Sequence, residues 1–222
     1  MKVVAEIGTN WNGDYKVLDT MIKSLAESGV DFVKFQALDD KLIERHNELD
    51  WYESASMSID NVEKIDKVCA KYEMNWFCTP CYPEAVTFLN DYVSMWKIRA
   101  ADKNRDDIIG NCISTGKPIY ISASRPDEIS IEATKIKKVF CISKYPTQFG
   151  ELNFDMIKKM DGYSNHCKDP LAVFTAVRMG VDYLEFHVMP SSDYFTIDSK
   201  VSFTLEQVSE MMHWINNYRT FE

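Results

Sequence analysis

The chain has 222 residues, of which 45% are hydrophobic and 27% charged, and its formal net charge is −9 at pH 7. Such an acidic chain disfavours nucleic acid as a partner, and no apolar run reaches the ~20 residues that span a membrane. The N-terminus enters an apolar run without a signal-like region, so we expect a cytoplasmic protein with neither nucleic-acid nor membrane partners.

Eight short apolar runs recur along the chain, each bounded by turn residues and followed by a helix-length segment. They are Val3–Ile7, Phe32–Phe35, Trp76–Cys78, Met95–Ile98, Ile119–Ile121, Val139–Ile142, Gly162–Tyr163 and Tyr183–Phe186. This alternation predicts parallel strands joined by crossover helices, and most runs are continuously apolar, as in strands that helices cover. We therefore predict an α/β fold, a (β/α)₈ TIM barrel with eight strands and eight helices, as one domain over residues 1–222.

The segments between the runs carry helical spacing. In the seventh segment, Leu171, Phe174 and Val177 share one predicted helical face, and Gly180 is placed to end the helix. The longest segment, Ala37–Asp60, follows the second strand and is polar and aromatic. A long strand-to-helix loop in a barrel usually borders the active site, so we expect this loop to lie beside it.

Reactive side chains lie at or just after the ends of the predicted strands. They are Glu6, Lys34, Gln36, Thr79, Lys97, Ser122, Tyr145, Ser164, His166, Glu185 and His187. The carboxyl ends of parallel barrel strands meet at one mouth, where the active sites of this fold lie. The pattern is typical of a barrel enzyme.

Two histidines follow neighbouring strands, His166 after the seventh and His187 at the end of the eighth. Together they could bind one divalent metal ion, because imidazole suits such ions and leaves positions free for water and a substrate carbonyl. The alternative is that each is a hydrogen-bonded structural histidine. The spacing leaves both readings open, whereas His46 in the long loop and His213 on the last helix are weaker candidates.

Two lysines, Lys34 and Lys97, end the second and fourth strands and would point inward, where a lone buried ammonium is costly. One reading pairs them with barrel carboxylates such as Glu6, Asp102 or Glu185. The other makes them an anion cradle for phosphate or carboxylate, together with Thr79, Ser122 and Ser164.

Six cysteines are scattered over the predicted strands and helices, so buried thiols are expected rather than disulfides. Cys78-Thr79-Pro80-Cys81 has C-x-x-C spacing. A redox motif needs its first cysteine exposed at a helix N-terminus, and a zinc site needs a second pair. Cys78 instead ends a strand and no second pair exists, which disfavours both chemistries.

In ten stretches the chain resembles the sialic acid synthase family, the phosphoenolpyruvate-dependent synthases of N-acetylneuraminate and related nonulosonates. The stretches are Ala5–Asp14, Val33–Gln36, Cys78–Pro80, Trp96–Ile98, Gly116–Pro118, Cys141, Tyr145–Thr147, Gly162–His166, Glu185–His187 and Asp198–Ser202. Each is weakly specific alone, but their order and their placement on strands are hard to obtain by chance.

The resemblance implies a barrel that condenses phosphoenolpyruvate with the open-chain aldehyde of an N-acylated amino sugar, such as N-acetylmannosamine, and releases phosphate. By match, the predicted catalytic residues are Glu6, Lys34, Lys97 and Glu185. The predicted substrate-binding residues are Gln36, Thr79, Ser122, Tyr145, Ser164 and Asp198. The implied cofactor is a divalent metal, Mn²⁺ or Mg²⁺, with His166 and His187 as its ligands.

Several positions depart from the family pattern. Trp11 stands where the family usually has His, and Ser143 replaces a common Asn. Lys97-Ile98-Arg99-Ala100 and Ser122-Ala123-Ser124 lose phosphate-binding hydroxyls, and Ser164-Asn165-His166-Cys167 loses a carboxylate expected beside the metal. Because a guanidinium binds two oxygens at once, Arg99 or Arg125 could replace the lost phosphate donors.

The resemblance covers a barrel alone, whereas typical members carry a C-terminal antifreeze-like domain that reaches into a partner's sugar site. We therefore expect part of the acceptor pocket to come from elsewhere, such as a separate antifreeze-like subunit. A homodimer is also expected, because Trp11, Trp51 and Tyr52 would expose apolar surface. Two other functions stay open: a carbon–carbon lyase that uses Lys34 or Lys97 as a Schiff base, and a non-catalytic or partner-dependent barrel.

Overall fold

The computed structural model describes residues 1–131 and 134–220, and its centre is a closed parallel barrel. Its eight strands are β1 (Lys2–Glu6), β2 (Phe32–Ala37), β3 (Asn75–Pro80), β4 (Trp96–Ile98), β5 (Ile119–Ala123), β6 (Ile136–Phe140), β7 (Gly162–Asn165) and β8 (Tyr183–Met189). Each strand pairs in parallel with the next along the chain, and β1 pairs with β8 to close the barrel. The predicted TIM barrel is thus confirmed.

Helices cover the outside of the barrel. They are α1 (Tyr15–Glu27), α2 (Asp40–Glu44), α3 (Val62–Lys71), α4 (Pro83–Leu89), α5 (Asp106–Ser114), α6 (Phe154–Lys158), α7 (Pro170–Arg178) and α8 (Leu205–Arg219). A short strand, β9 (Phe203–Thr204), pairs in parallel with the end of β8 before α8 begins. In the described ranges, no helix is long and apolar enough to cross a bilayer.

The predicted alternation of strands and helices holds around the barrel except at two places. The long loop contains an extra helix, α2, which Asp39 caps by accepting from the Leu42 amide at 2.8 Å. Between β5 and β6, the described residues form only a 3₁₀ turn, Pro126–Glu128. Lys138 Nζ binds the carbonyls of Pro126 and Ile129, which are thereby satisfied without a helix.

Helix α7 shows how a start signal sets the phase of a helix. Pro170 occupies the first turn and Asp169 caps it by accepting from the Leu171 amide at 2.9 Å. With this start, Ala172 and Ala176 face the barrel, and the predicted inward position of Leu171 is wrong, since it is 52% exposed. The predicted end is confirmed, because Gly180 adopts φ of 73° directly after the helix.

The large aromatic residues of the loops are more buried than expected. Trp11 is fully buried and its Nε1 donates to the Ala55 carbonyl at 3.1 Å. Tyr52 is also buried, in a small cluster with Leu38 and Cys81. The predicted apolar exposure at Trp11 and Tyr52 is therefore wrong, and the homodimer stays a prediction without that support.

All six cysteines are buried and none forms a disulfide, as predicted. Burial raises the pKa of the Cys81 thiol to about 12, and it raises the pKa of Cys78 as well. A thiol that stays protonated at neutral pH is a poor nucleophile and metal ligand. The buried thiols of Cys78 and Cys81 therefore disfavour redox chemistry and zinc binding at the C-x-x-C pair.

Candidate active site

The pairing register of the strands places charged residues side by side at the carboxyl end of the barrel. Glu6 is level with Lys34 on β2 and with His187 on β8. Successive side chains of a strand point to opposite faces, so Glu185 and His187, two residues apart, both point inward. Sequence positions far apart thus meet at one mouth.

Lys34 is enclosed by partners. Its Nζ lies 2.6 Å from Glu6 Oε2 and 3.9 Å from Glu185 Oε1, and it donates to Thr79 Oγ1 at 3.0 Å. Burial lowers the pKa of this ammonium, but the carboxylates of Glu185 and Glu6 more than offset it, so the net pKa is raised. Lys34 is therefore a fixed positive charge.

Lys97 is buried in a weaker set of contacts. Its Nζ donates to Ser122 Oγ at 2.7 Å, and Glu185 Oε1 lies 3.9 Å away. Burial dominates over the attraction of Glu185, and the pKa of Lys97 is lowered. Of the two lysines, Lys97 is thus the less compensated and has more to gain from a bound anion.

Glu185 lies between the two lysines. It accepts hydrogen bonds from Ser164 Oγ at 2.8 Å and from the Tyr183 hydroxyl. Burial raises the pKa of Glu185, but the two lysines and these donors lower it by more. The net pKa is therefore lowered and Glu185 stays ionised. Tyr183 lies next to Gly162 on the neighbouring strand. A Cβ at position 162 would lie 2.6 Å from the Tyr183 carbonyl oxygen, so the close approach of Tyr183 requires glycine at this position.

The two histidines lie together at the mouth, with ring centroids 5.3 Å apart. His166 Nδ1 donates to the Ile142 carbonyl at 2.7 Å, and burial together with His187 lowers the pKa of His166 to about 4. His187 Nδ1 lies 3.2 Å from Asp198 Oδ2; burial lowers the pKa of His187, but Asp198 outweighs it and the net pKa is raised.

These contacts fit the predicted metal pair. Each histidine turns Nδ1 toward a protein oxygen, and neither Nε2 has a hydrogen-bond partner in the described part of the chain. A metal-binding histidine usually has this arrangement, with the second nitrogen fixed by a carbonyl or carboxylate. Residues 1–131 and 134–220 hold no cluster of three or more His, Cys, Asp or Glu ligands, so water or substrate oxygens would complete the shell.

A cavity of about 240 Å³ opens among these side chains. It is lined by ten of the twelve predicted site residues: Glu6, Lys34, Gln36, Lys97, Ser122, Tyr145, Ser164, His166, Glu185 and His187. Thr79 and Asp198 do not line it and lie behind Lys34 and His187. Tyr145 covers His166, with ring centroids 4.1 Å apart.

A larger cavity, of about 690 Å³, lies under the long loop, and its lining includes Asp39, Asp50, Glu53 and Tyr82. None of the predicted site residues lines it, and no residue of 37–60 lines the smaller cavity. Because ten of the predicted site residues line the smaller cavity and none lines the larger one, the smaller cavity is the candidate active site. The long loop thus does not line that site but borders it, since the Met57 amide donates to the carbonyl of the lining residue Gln36 at 2.8 Å.

The departures from the family pattern differ in their consequences. Asn165 accepts from the Tyr163 hydroxyl at 2.7 Å and from the Cys167 amide at 3.0 Å, and it donates to the Cys167 carbonyl. Asn165 shapes the barrel wall beside His166 and does not line the cavity, and the effect of the missing carboxylate on metal binding stays a prediction. Arg99 lines the cavity, whereas Arg125 is a surface residue, 64% exposed.

Besides Arg99, Ala100 and Ala101, three residues of the site were not among the predicted site residues. Tyr183 binds Glu185, and Cys141 and Ser143 line the cavity. A signal existed for Tyr183, because it lies two residues before Glu185 on the same face of β8. Ser143 lies in an irregular segment after β6, whose course no periodicity predicts.

The fold and site define a parallel-barrel protein with buried lysines, hydroxyls and two imidazoles at its carboxyl mouth, where the active sites of this fold lie. A family model described as NeuB family matches residues 21–221. The chain belongs to the NeuB family.

Named relatives fit this assignment. The chain is 24% identical to pseudaminic acid synthase of Helicobacter pylori, over 96% of this chain and 73% of the relative. It is 23% identical to N-acetylneuraminate-9-phosphate synthase of Homo sapiens, over 95% of this chain and 68% of the relative. The crystal structure of N-acetylneuraminic acid synthetase from Leptospira borgpetersenii in complex with citrate has the same fold, with a TM-score of 0.88 at 21% identity, covering 99% and 84% of the two chains.

Proposed function

We propose that the protein condenses phosphoenolpyruvate with the aldehyde of an N-acylated amino sugar, forming a nonulosonate and phosphate. The observation that carries this proposal is the juxtaposition of Lys34 and Lys97 with the imidazoles of His166 and His187 around one cavity. Cations and hydroxyls suit the donor, which has a carboxylate and a phosphate. The imidazoles suit a metal-assisted reaction of a carbonyl.

The donor binds on the lysine side of the cavity. Lys97 and Ser122, 2.7 Å apart, present an ammonium and a hydroxyl to one anionic group, and Ser164 presents a second hydroxyl next to Glu185. Thr79 does not touch the donor but orients Lys34. The fixed position of these groups holds the enol carbon for attack and makes a two-substrate reaction effectively intramolecular.

The acceptor aldehyde binds on the histidine side. A divalent ion, Mn²⁺ or Mg²⁺, would be held by Nε2 of His166 and of His187, and when bound it supplies polarisation of the aldehyde oxygen. Asp198 orients His187 from behind, at 3.2 Å.

The two carboxylates of the cavity, Glu185 and Glu6, have different roles in the proposed reaction. In the reaction, C3 of the enol ester forms a bond to the aldehyde carbon, and the aldehyde oxygen gains a proton. Water then adds to C2. Finally the bond between C2 and the phosphate oxygen breaks and phosphate leaves. Glu185 has a lowered pKa and two hydrogen-bond donors, so it balances the lysine charges and is a weak base. Glu6, level with both Lys34 and His187, takes the proton from the attacking water.

The test is release of phosphate from phosphoenolpyruvate with Mn²⁺, across a panel of N-acylated hexosamines and simple aldoses. We expect release that depends on one acceptor, stops with EDTA and is lost in His187→Ala. His213→Ala is the matched control, because His213 is exposed on α8 and, among the described residues, its one hydrogen-bond partner is Asn217. Metal binding without release for any acceptor would contradict the proposal.

The acceptor panel is needed because relatives of similar identity are named for different products, pseudaminic acid and N-acetylneuraminate 9-phosphate. An acceptor that reacts only after addition of a separate antifreeze-like polypeptide would identify a missing part of the sugar site. An acceptor that reacts with this chain alone would show that the barrel is sufficient.

A second candidate function is a Schiff-base lyase on the same barrel. The lowered pKa of Lys97 favours it, because a larger neutral fraction makes an amine more nucleophilic. Borohydride reduction with an aldehyde or a ketoacid would then add mass to wild type but not to Lys97→Met. Labelling at Lys97 together with EDTA-resistant turnover would establish the lyase in place of the synthase.

A further inference from the structure

Arg99 is a guanidinium at the edge of the cavity, directly after β4, and its side chain is 26% exposed. Its Nε donates to Asp102 Oδ2 at 2.6 Å. The two terminal nitrogens have no hydrogen-bond partner within the described ranges. Arg99 therefore presents one open edge of its planar fork, a shape that matches two oxygens of a single anionic group.

The local backbone builds this arrangement. The short 3₁₀ turn Ala100–Asp102 follows Arg99, and the Asp102 amide donates to the Arg99 carbonyl at 2.9 Å. The turn brings the carboxylate of Asp102, which is buried, back onto the guanidinium. Ala100 and Ala101 also line the cavity, and their small side chains leave room in front of the fork.

The charge distribution shows which ligand group suits Arg99. Lys34 is neutralised by Glu6 at 2.6 Å, and Glu185 lies 3.9 Å from both lysines. The two lysines and the two carboxylates thus carry no formal net charge before any ligand enters, although Lys97 is the less compensated of the two lysines. A dianion at this end of the cavity therefore needs another cation, and Arg99 lies on the cavity wall formed by β4, the strand that holds Lys97.

We propose that Arg99, positioned by Asp102, binds the phosphoryl group of the donor together with Lys97 and Ser122. This assignment rests on the proposed function for the identity of the donor. The anion site itself can be tested with inorganic phosphate alone. Arg125 is the matched control, since it is 64% exposed, pairs with Asp127 and Glu128 and does not line the cavity.

The experiment is titration calorimetry of the whole protein with inorganic phosphate and with phosphoenolpyruvate. We expect Arg99→Met to weaken both by about 10- to 100-fold, as for loss of a charge-assisted hydrogen-bond pair. Arg99→Lys is expected to restore part of the affinity, since it keeps the charge but not the fork. Arg125→Met is expected to bind like wild type. Wild-type affinity in a folded Arg99→Met, or no phosphate binding by wild type, would overturn the assignment.

Asp102→Asn separates positioning from folding. We expect it to raise the KM for phosphoenolpyruvate several-fold with little change in kcat or in the urea midpoint, because it frees the guanidinium without removing it. Turnover with an unchanged KM in Arg99→Met would overturn the role of Arg99 and leave the synthase intact. Phosphate binding that depends on Arg99, without turnover for any acceptor, would support the anion site and contradict the proposed synthase activity.

Discussion

Charged side chains lie at both ends of the barrel, but only those at the carboxyl end are buried. At the amino end, Asp31 and Asp161 are about one-third exposed, and each accepts from a strand amide, Val3 at 2.6 Å and Lys138 at 2.7 Å. At the mouth, four charged side chains are at most 4% exposed. These are Glu6, Lys34, Lys97 and Glu185.

The charged groups at the two ends of the barrel differ in the free energy that they contribute to folding. An exposed ion pair contributes at most ~1 kcal/mol, and its loss is tolerated. A buried pair gains little net stability because both charges lose their hydration, yet loss of one partner is costly. Asp31 and Asp161 therefore bind strand amides at the amino end, whereas the buried charges at the mouth add little net stability, which is typical of a functional site.

The largest expected effect is at Glu185. Glu185→Ala removes the carboxylate that lies 3.9 Å from both lysines, and no other carboxylate of residues 1–131 and 134–220 lies within 4 Å of Lys97 Nζ. We expect a loss of about 3–5 kcal/mol in the free energy of unfolding by urea, together with loss of phosphate release. Glu210→Ala on the exposed face of α8 is the control and should stay within about 0.5 kcal/mol of wild type. A wild-type urea midpoint for Glu185→Ala would contradict the importance of this network.

The two lysines sharpen the comparison within the mouth. Lys34→Met leaves Glu6 without its partner at 2.6 Å and should cost about 3 kcal/mol. Lys97→Met removes a poorly compensated charge and should cost less than about 1 kcal/mol, because an apolar side chain suits that place. Both variants should lose phosphoenolpyruvate turnover. Equal stability losses in parallel urea titrations would show that the two lysines share one environment.

Much of the site could be predicted because strand order along this chain is also the order around the barrel. Once the apolar runs are strands, Lys34, Lys97, Glu185 and His187 must meet at the carboxyl mouth. The resemblance to a family added Asp198, which lies beyond β8 and outside any periodic pattern.

The rest depends on contacts between distant segments. Trp11 is buried through a hydrogen bond to Ala55, 44 positions along the chain, and neither local sequence reveals the other. The sequence shows that Asn165 replaces a family carboxylate, but it does not show that the partners Tyr163 and Cys167 turn this side chain into the wall. Side-chain direction at the end of a strand is decided by such packing, which a one-dimensional pattern does not contain.

A medium effect is expected at the amino end. Asp31→Ala removes the acceptor of the Val3 amide and the partner of Arg219. Because the site is one-third exposed, water replaces part of both contacts, and we expect a loss of about 1–2 kcal/mol. Phosphate release per folded molecule should match wild type. A loss of turnover without unfolding would break the proposed division between the two ends of the barrel.

The smallest effect is expected at Lys137, whose Nζ lies 3.2 Å from Asp161 at the same end. Lys137 is 45% exposed and Asp161 is 32% exposed, so water and salt screen the pair. Asp161 keeps its hydrogen bond from the Lys138 amide when Lys137 is changed to Ala. Lys137→Ala should therefore cost less than about 0.5 kcal/mol in low salt, and the difference should vanish in 1 M salt. A larger loss, or one that salt does not reduce, would show that charges at the amino end are held as tightly as those at the mouth.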